Sequence, residues 1–97
     1  MVRQITASEL MEALNSDRPP VLIDVREDYE HEDFNIGGSN IPLGEILRHA
    51  QEIPGDETVV VYCKRGIRSA IAIQRLQEKY GFTNLLNLQG GIMEWPV

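Results

Sequence analysis

The stretch TVVVYCKRGIRSAIAIQRLQEKYG, residues 58–81, decides the fold. Thr58–Tyr62, TVVVY, is β-branched or aromatic at every position and apolar at all but the first, the pattern of a buried strand. From residue 67 the pattern changes. Ile67, Ala70, Ile71, Ile73, Leu76 and Tyr80 recur at helical spacing and predict a helix over 67–80, with Gly81 as its left-handed cap. A buried strand running into an amphipathic helix is the unit of an α/β domain with a mainly parallel sheet. In such sheets ligands sit beyond the carboxyl ends of strands, and Cys63, the only cysteine, lies there.

Outward from this unit the elements alternate. Residues 3–6, RQIT, read as a short first strand. Thr6 with Glu9 forms a capping box that opens a helix reaching about Asn15. DRPP is a turn, and Val21–Val25 is a second compact strand. Residues 27–34, EDYEHEDF, are a short acid-rich helical stretch broken by NIGG. SNIPL is extended, and Pro42 keeps it out of the interior of a central strand. Residues 44–53, GEILRHAQEI, read as another helix, and PGDE as a turn. NLLNL, residues 84–88, is a strand, and QGG with IMEW turns into a last helix that barely begins.

Bulk properties narrow the function. The 97 residues make one domain, 1–97, which is expected to be cut short at its C-terminal end. Composition is that of a globular protein, 42% hydrophobic and 25% charged. No apolar run approaches the ~20 residues of a membrane helix, so no membrane partner is expected. The start has no secretory apolar core, and the expected setting is cytoplasmic. One cysteine excludes an internal disulfide and a cysteine-rich zinc site; no metal or cofactor is expected. Residues 1–57 carry 4 basic and 13 acidic side chains, whereas residues 58–97 carry 5 basic and 2 acidic. A chain of net charge −6 makes a poor nucleic-acid binder. Its local positive charge, centred on Cys63, suits a small anion or an acidic protein surface.

Cys63, Lys64, Arg65, Gly66, Ile67 and Arg68 join the strand to the helix. Backbone amides at a helix start lack intrahelical partners and can cradle an anion, and Gly66 supplies the backbone freedom for the turn. Arg68 sits at the helix end where a cation is unfavourable, a broken local rule beside a thiol. Amides and cations favour the thiolate, which is the nucleophile, and suit a persulfide anion, Cys–S–S⁻, equally well. Lys64 and Arg65 are not needed to close the loop and are free to point outward. The bland alternative makes Cys63 a small core residue and the cations solvated charges.

The loop CKRGIRS resembles the active-site loop of rhodanese-like sulfurtransferases, C-x-x-G-x-R-S. Two further segments agree in order. LIDVREDYEHEDFNIGGSNIPL is similar to that family's N-terminal signature, and NLQGGIMEW to its C-terminal one. The resemblance implies a rhodanese-like α/β fold, a five-stranded, mainly parallel sheet with helices on both faces. It also implies sulfur transfer through a persulfide on Cys63, with Lys64 to Arg68 as the substrate cradle. Asp24 and Arg26 fall near the active-site face, where they are expected to serve structurally, Asp24 as a strand-end cap and Arg26 as a buried ion-pair partner. Many relatives carry a histidine and a proline where this chain has FNIGGSN. His31 and His49 read as surface residues, so no histidine base is expected.

The expected donor is a small anion such as thiosulfate, with a sulfur-carrier protein or cysteine desulfurase as the protein partner. The NIGGSNIPLGEIL variant is similar to rhodanese domains fused behind adenylyltransferases of molybdopterin or thiamine synthesis. This leaves open a relay or binding module acting on a protein carrier. A phosphatase or arsenate reductase shares the cysteine-and-arginine cradle but uses a longer loop than the four residues between Cys63 and Arg68.

Overall fold

Val59–Tyr62 forms strand β4, buried at every position. In the computed structural model, which describes residues 1–96, it runs through the middle of the sheet. Strand β2, Val21–Asp24, flanks it on one side. Strand β5, Leu85–Leu88, lies on the other. Strand β1, Arg3–Ile5, adds outside β5, and the two-residue strand β3, Ser39–Asn40, adds outside β2. The five strands follow the order β1-β5-β4-β2-β3, and every neighbouring pair is parallel. All strand carboxyl ends therefore lie at one edge, and Cys63 follows β4 there.

Alternation along β4 divides the core into two layers. Val59, Val61 and Cys63 face one side with Ile23, Val25 and Leu85. They are covered by helix α3, Ile67–Tyr80, through Ala72, Ile73 and Leu76. Val60 and Tyr62 face the other side with Leu22 and Leu88, beneath Leu10 of helix α1, Ala7–Leu14. Helices thus cover both faces, as a parallel sheet requires. The Thr6 hydroxyl accepts from the Glu9 amide at 3.1 Å and the Glu9 carboxylate accepts from the Thr6 amide at 2.9 Å, closing the capping box and fixing the start of α1. The acid-rich stretch forms helix α2, Asp28–Asp33. No helix among the described residues is long and apolar enough to cross a membrane.

Two expectations are corrected. Residues 44–53 do not form one α-helix. Leu43–Glu45 and Ala50–Glu52 are 3-10 turns, and the segment closes i→i+3 bonds, such as Arg48 N–H to the Glu45 carbonyl at 3.1 Å. Gly44 weakens an α-helix here, and Leu43 with Ile46, like Ala50 with Ile53, has the three-residue spacing of the tighter turn. The inward face of α3 also differs. It is Ser69, Ala72, Ile73 and Leu76, whereas Ile67 and Tyr80 are 65% and 50% exposed. The spacing 69, 72, 73, 76 is a regular helical stripe whose first member is polar, because that position faces the Cys63 sulfur rather than the apolar core.

Candidate active site

Cys63 is 1% exposed and sits where β4 hands over to α3. Its Sγ accepts from the Gly66 amide at 3.1 Å and from the Ser69 amide at 3.4 Å, and lies 3.2 Å from the Ser69 hydroxyl. Gly66 makes this convergence possible. It caps α3 at φ +90°, and a Cβ there would stand 3.3 Å from the Leu88 carbonyl oxygen, so a larger residue meets both backbone strain and crowding.

Turning amides toward the sulfur requires that the loop carbonyls go elsewhere. The Ile92 amide donates to the Cys63 carbonyl at 3.0 Å and the Met93 amide to the Lys64 carbonyl at 3.1 Å. These donors come from the 3-10 turn Gly91–Glu94. Gly91, at φ +68°, approaches so closely that a Cβ would lie 2.2 Å from the Lys64 carbonyl oxygen. The turn, brought close by Gly91, thus clamps the back of the loop and holds two electron-rich oxygens away from the sulfur.

Beneath the sulfur lies a polar chain that the sequence reading missed. The Ser69 hydroxyl donates to Asn87 Oδ1. The Asn87 amide nitrogen donates to the Gly66 carbonyl at 3.1 Å and to Gln4 Oε1 at 3.0 Å. Ser69 and Asn87 are 0% and 3% exposed. Signals existed for both. Ser69 ends the CKRGIRS motif, and Asn87 interrupts an otherwise apolar strand, where a buried amide must find partners.

On the opposite side of β2 and β4, Asp24 binds Arg26 through three contacts to the guanidinium at 2.7–3.1 Å and one to its backbone amide at 3.0 Å. Both residues are buried. Arg26 also donates to the Phe34 carbonyl at 2.7 Å and stacks over the Tyr62 ring, 5.8 Å from its centroid. Tyr62 in turn donates to the Gly37 carbonyl at 2.9 Å; burial, then the charge of Asp24, pushes its phenol up to about 12, so it stays protonated. This knot fastens α2 and the NIGG segment to the sheet. His31 belongs to it, with Nδ1 2.8 Å from Asp24 Oδ2. That corrects the expectation of a free surface histidine. His49 is half-exposed beside Glu45 and Glu52.

Arg68 makes a bidentate pair with Glu30 of α2, at 2.8 and 3.0 Å. Glu30 offsets the cation at the start of α3, which accounts for the broken local rule. Among the described residues, the hydrogen bonds at Sγ come from Gly66 and Ser69 rather than Arg68. Hydrogen bonding from Arg68 holds the Glu30 carboxyl down at about 2, from an ordinary 4.5. A depressed carboxyl stabilises the fold above its unfolded value and loses that contribution as pH falls through its folded value. Glu30→Gln is therefore expected to destabilise the domain by about 1 kcal/mol at neutral pH. The difference from the wild-type chain should shrink as pH falls from 4.5 toward 2, as urea titrations across that range will show.

Lys64 and Arg65 are exposed, and the Ile67 side chain lies on the surface. A cleft of about 260 Å³ opens beside the loop, lined by Arg26, Glu30, Phe34, Lys64 and Met93 among others. The structure thus brings Cys63, Gly66 and the amide end of α3 together. It leaves Lys64 and Arg65 at the rim and commits Arg68 to a neighbouring helix.

Known proteins resemble this chain in sequence and fold. Over 94 residues the chain is 38% identical to the probable adenylyltransferase/sulfurtransferase MoeZ of Mycobacterium tuberculosis, covering 94% of this chain but 24% of that protein. It is 34% identical over 96 residues to a sulfurtransferase of Allochromatium vinosum, covering 98% of this chain and 89% of the relative. The crystal structure of a rhodanese-like domain protein from Staphylococcus aureus superposes with a TM-score of 0.88 at 28% identity, covering 98% and 92% of the two chains. The family model for the rhodanese-like domain matches residues 6–96, a span that holds the cysteine loop and both flanking signatures, and the chain belongs to that family.

Proposed function

We propose that this domain is a sulfurtransferase that carries a sulfane sulfur as a persulfide on Cys63. The observation that supports it most is the convergence of the Gly66 and Ser69 amides on Sγ, with the Cys63 and Lys64 carbonyls tied back. That polarity suits an anionic sulfur. With thiosulfate, the Cys63 thiolate attacks the outer sulfur. A new S–S bond forms, the donor's S–S bond breaks, and its electron pair leaves on sulfite. The terminal sulfur of Cys–S–S⁻ then takes up the negative charge within reach of the loop amides. A nucleophilic acceptor removes that sulfur and restores the thiolate. At 1% exposure, Cys63 admits a terminal sulfur atom more readily than a tetrahedral oxyanion, which favours sulfur transfer over phosphate or arsenate chemistry. Mass spectrometry after incubation with thiosulfate tests the reading. A gain of one sulfur atom on Cys63 is expected, and an unmodified Cys63 overturns it.

A protein partner is the second part of the proposal. The name of the mycobacterial relative couples a sulfurtransferase to an adenylyltransferase, which supports a carrier protein as acceptor. The exposed cations Lys64 and Arg65 stand at the loop, placed to steer an acidic surface or a C-terminal carboxylate. Exposed charges act mainly on association rate and are screened by salt. Replacing both with alanine should change persulfide formation from thiosulfate by no more than several-fold. It should slow transfer to or from a protein partner far more, and added salt should reproduce that loss in the wild-type chain. Equal losses in the two reactions place the charges in the cradle itself and end the docking proposal.

A further inference from the structure

We propose that Asn87 is a positioning residue that holds the Ser69 proton and so withholds the hydroxyl's hydrogen bond from the empty Cys63 sulfur. The inference rests on Cys63 being the reactive sulfur. Asn87 lies on β5, 3% exposed. Its Nδ2 donates to the Gly66 carbonyl and to Gln4 Oε1. Both amide protons are thereby used, and turning the amide over would set its oxygen against the fixed Gly66 carbonyl oxygen. Asn87 Oδ1 is held facing Ser69, and an amide oxygen only accepts. The single hydroxyl proton of Ser69 therefore goes to Asn87.

What Ser69 then offers the sulfur, 3.2 Å away, is a lone pair. A lone pair complements an S–H and opposes a bare anionic sulfur. The three groups form a directed chain from S–H through O–H to the amide oxygen of Asn87. Once a persulfide forms, the charge moves outward to the terminal sulfur and Sγ becomes an uncharged divalent atom. Ser69 then keeps its proton on Asn87 at no cost. Asn87 thus penalises one state of the cycle, the bare thiolate, and spares both the protonated and the sulfur-loaded states. The device keeps the empty site quiet and favours retention of a bound sulfur.

The test is alkylation of Cys63 by iodoacetamide at one fixed neutral pH. The sulfur displaces iodide, a C–S bond replaces the C–I bond, and the thiol proton goes to the buffer. Asn87→Leu removes the acceptor and frees the Ser69 proton for the sulfur, so alkylation should become several-fold faster. In a Ser69→Ala background the same substitution should produce no acceleration, and Asn87→Asp, which retains an acceptor, should not accelerate it either. Unchanged or slower alkylation of Asn87→Leu overturns the proposal. So does equal acceleration in both backgrounds, which means loosened packing. A second measurement needs no Asn87 variant. Cys63 is the only cysteine, so at a pH low enough to protonate it the native protein should show one infrared S–H band, at lower frequency than in Ser69→Ala. A band at the same frequency in the two proteins overturns the proposal. Neither measurement uses a sulfur donor, so failure of sulfur transfer is read separately from failure of the Asn87 device.

Discussion

Cys63→Ser is expected to reduce thiocyanate formation from thiosulfate and cyanide to the level seen without protein. In the proposed reaction cyanide attacks the terminal sulfur of the persulfide, an S–C bond forms, and the S–S bond returns its electron pair to Cys63. A serine oxygen fits the same place and can accept from the Gly66 and Ser69 amides that now reach Sγ, so the fold should survive. A hydroxyl at neutral pH is a far weaker nucleophile than a thiolate. The chain has no second cysteine to take over. Thermal unfolding checks that the variant is folded, and the thiocyanate assay reads the loss. Turnover above background in the folded variant would remove Cys63 from the mechanism.

Gly91→Ala should have the next largest effect, although Gly91 does not touch the sulfur. The added Cβ would stand 2.2 Å from the Lys64 carbonyl oxygen, and the φ of +68° is itself unfavourable for alanine. The turn must shift, and with it the Ile92 and Met93 amides that hold back the Cys63 and Lys64 carbonyls. Left-handed strain of this kind costs about 1–3 kcal/mol. Displacement of a reacting group by about 1 Å can cost ~10²-fold in rate. A loss of about that size is expected, together with a lower melting temperature. Gly44→Ala is the control, because a Cβ there meets nothing within 4 Å; it should leave both readings nearly unchanged. Equal activity in the two variants would mean that the clamp does not set the cradle.

The fold was legible wherever a segment announced its own surroundings. Val59–Tyr62 is apolar at every position because it is covered on both faces, and the Thr6–Glu9 box marks a helix start with a local hydrogen-bond pattern. The site was legible in part, since the cysteine, the glycine and the helix start are adjacent in the chain. What escaped depends on contacts between distant segments. Glu30 is one of several acids in its stretch, and only the approach of α2 to α3 selects it as the partner of Arg68, 38 residues away. His31 reaches the knot because α2 leans over Asp24. Asn87 was visible as a polar residue in an apolar strand, but its partners come from two other places in the chain, Gly66 and Ser69 at the start of α3 and Gln4 in β1. The segment 44–53 misled because its apolar spacing fits both an α-helix and a chain of tighter turns.

Strand order bears on how the molecule comes into being. Strand β1 pairs only with β5, and β5 stands between β1 and β4. A ribosome delivers Arg3–Ile5 before β2, β3 and β4 and Leu85–Leu88 after them, so β1 waits for its partner while the rest of the sheet is made. Until then β4 has one bare edge, lined by Val59, Val60 and Val61, whose register belongs to Leu85, Leu86 and Asn87. Such an edge is a surface for pairing with other chains, and pairings between distant segments form slowly. A nascent chain halted before Leu85 therefore holds the cysteine loop but lacks the strand that carries Asn87 and the turn that clamps the loop. In this domain the Cys63 sulfur is made before the structure that surrounds it.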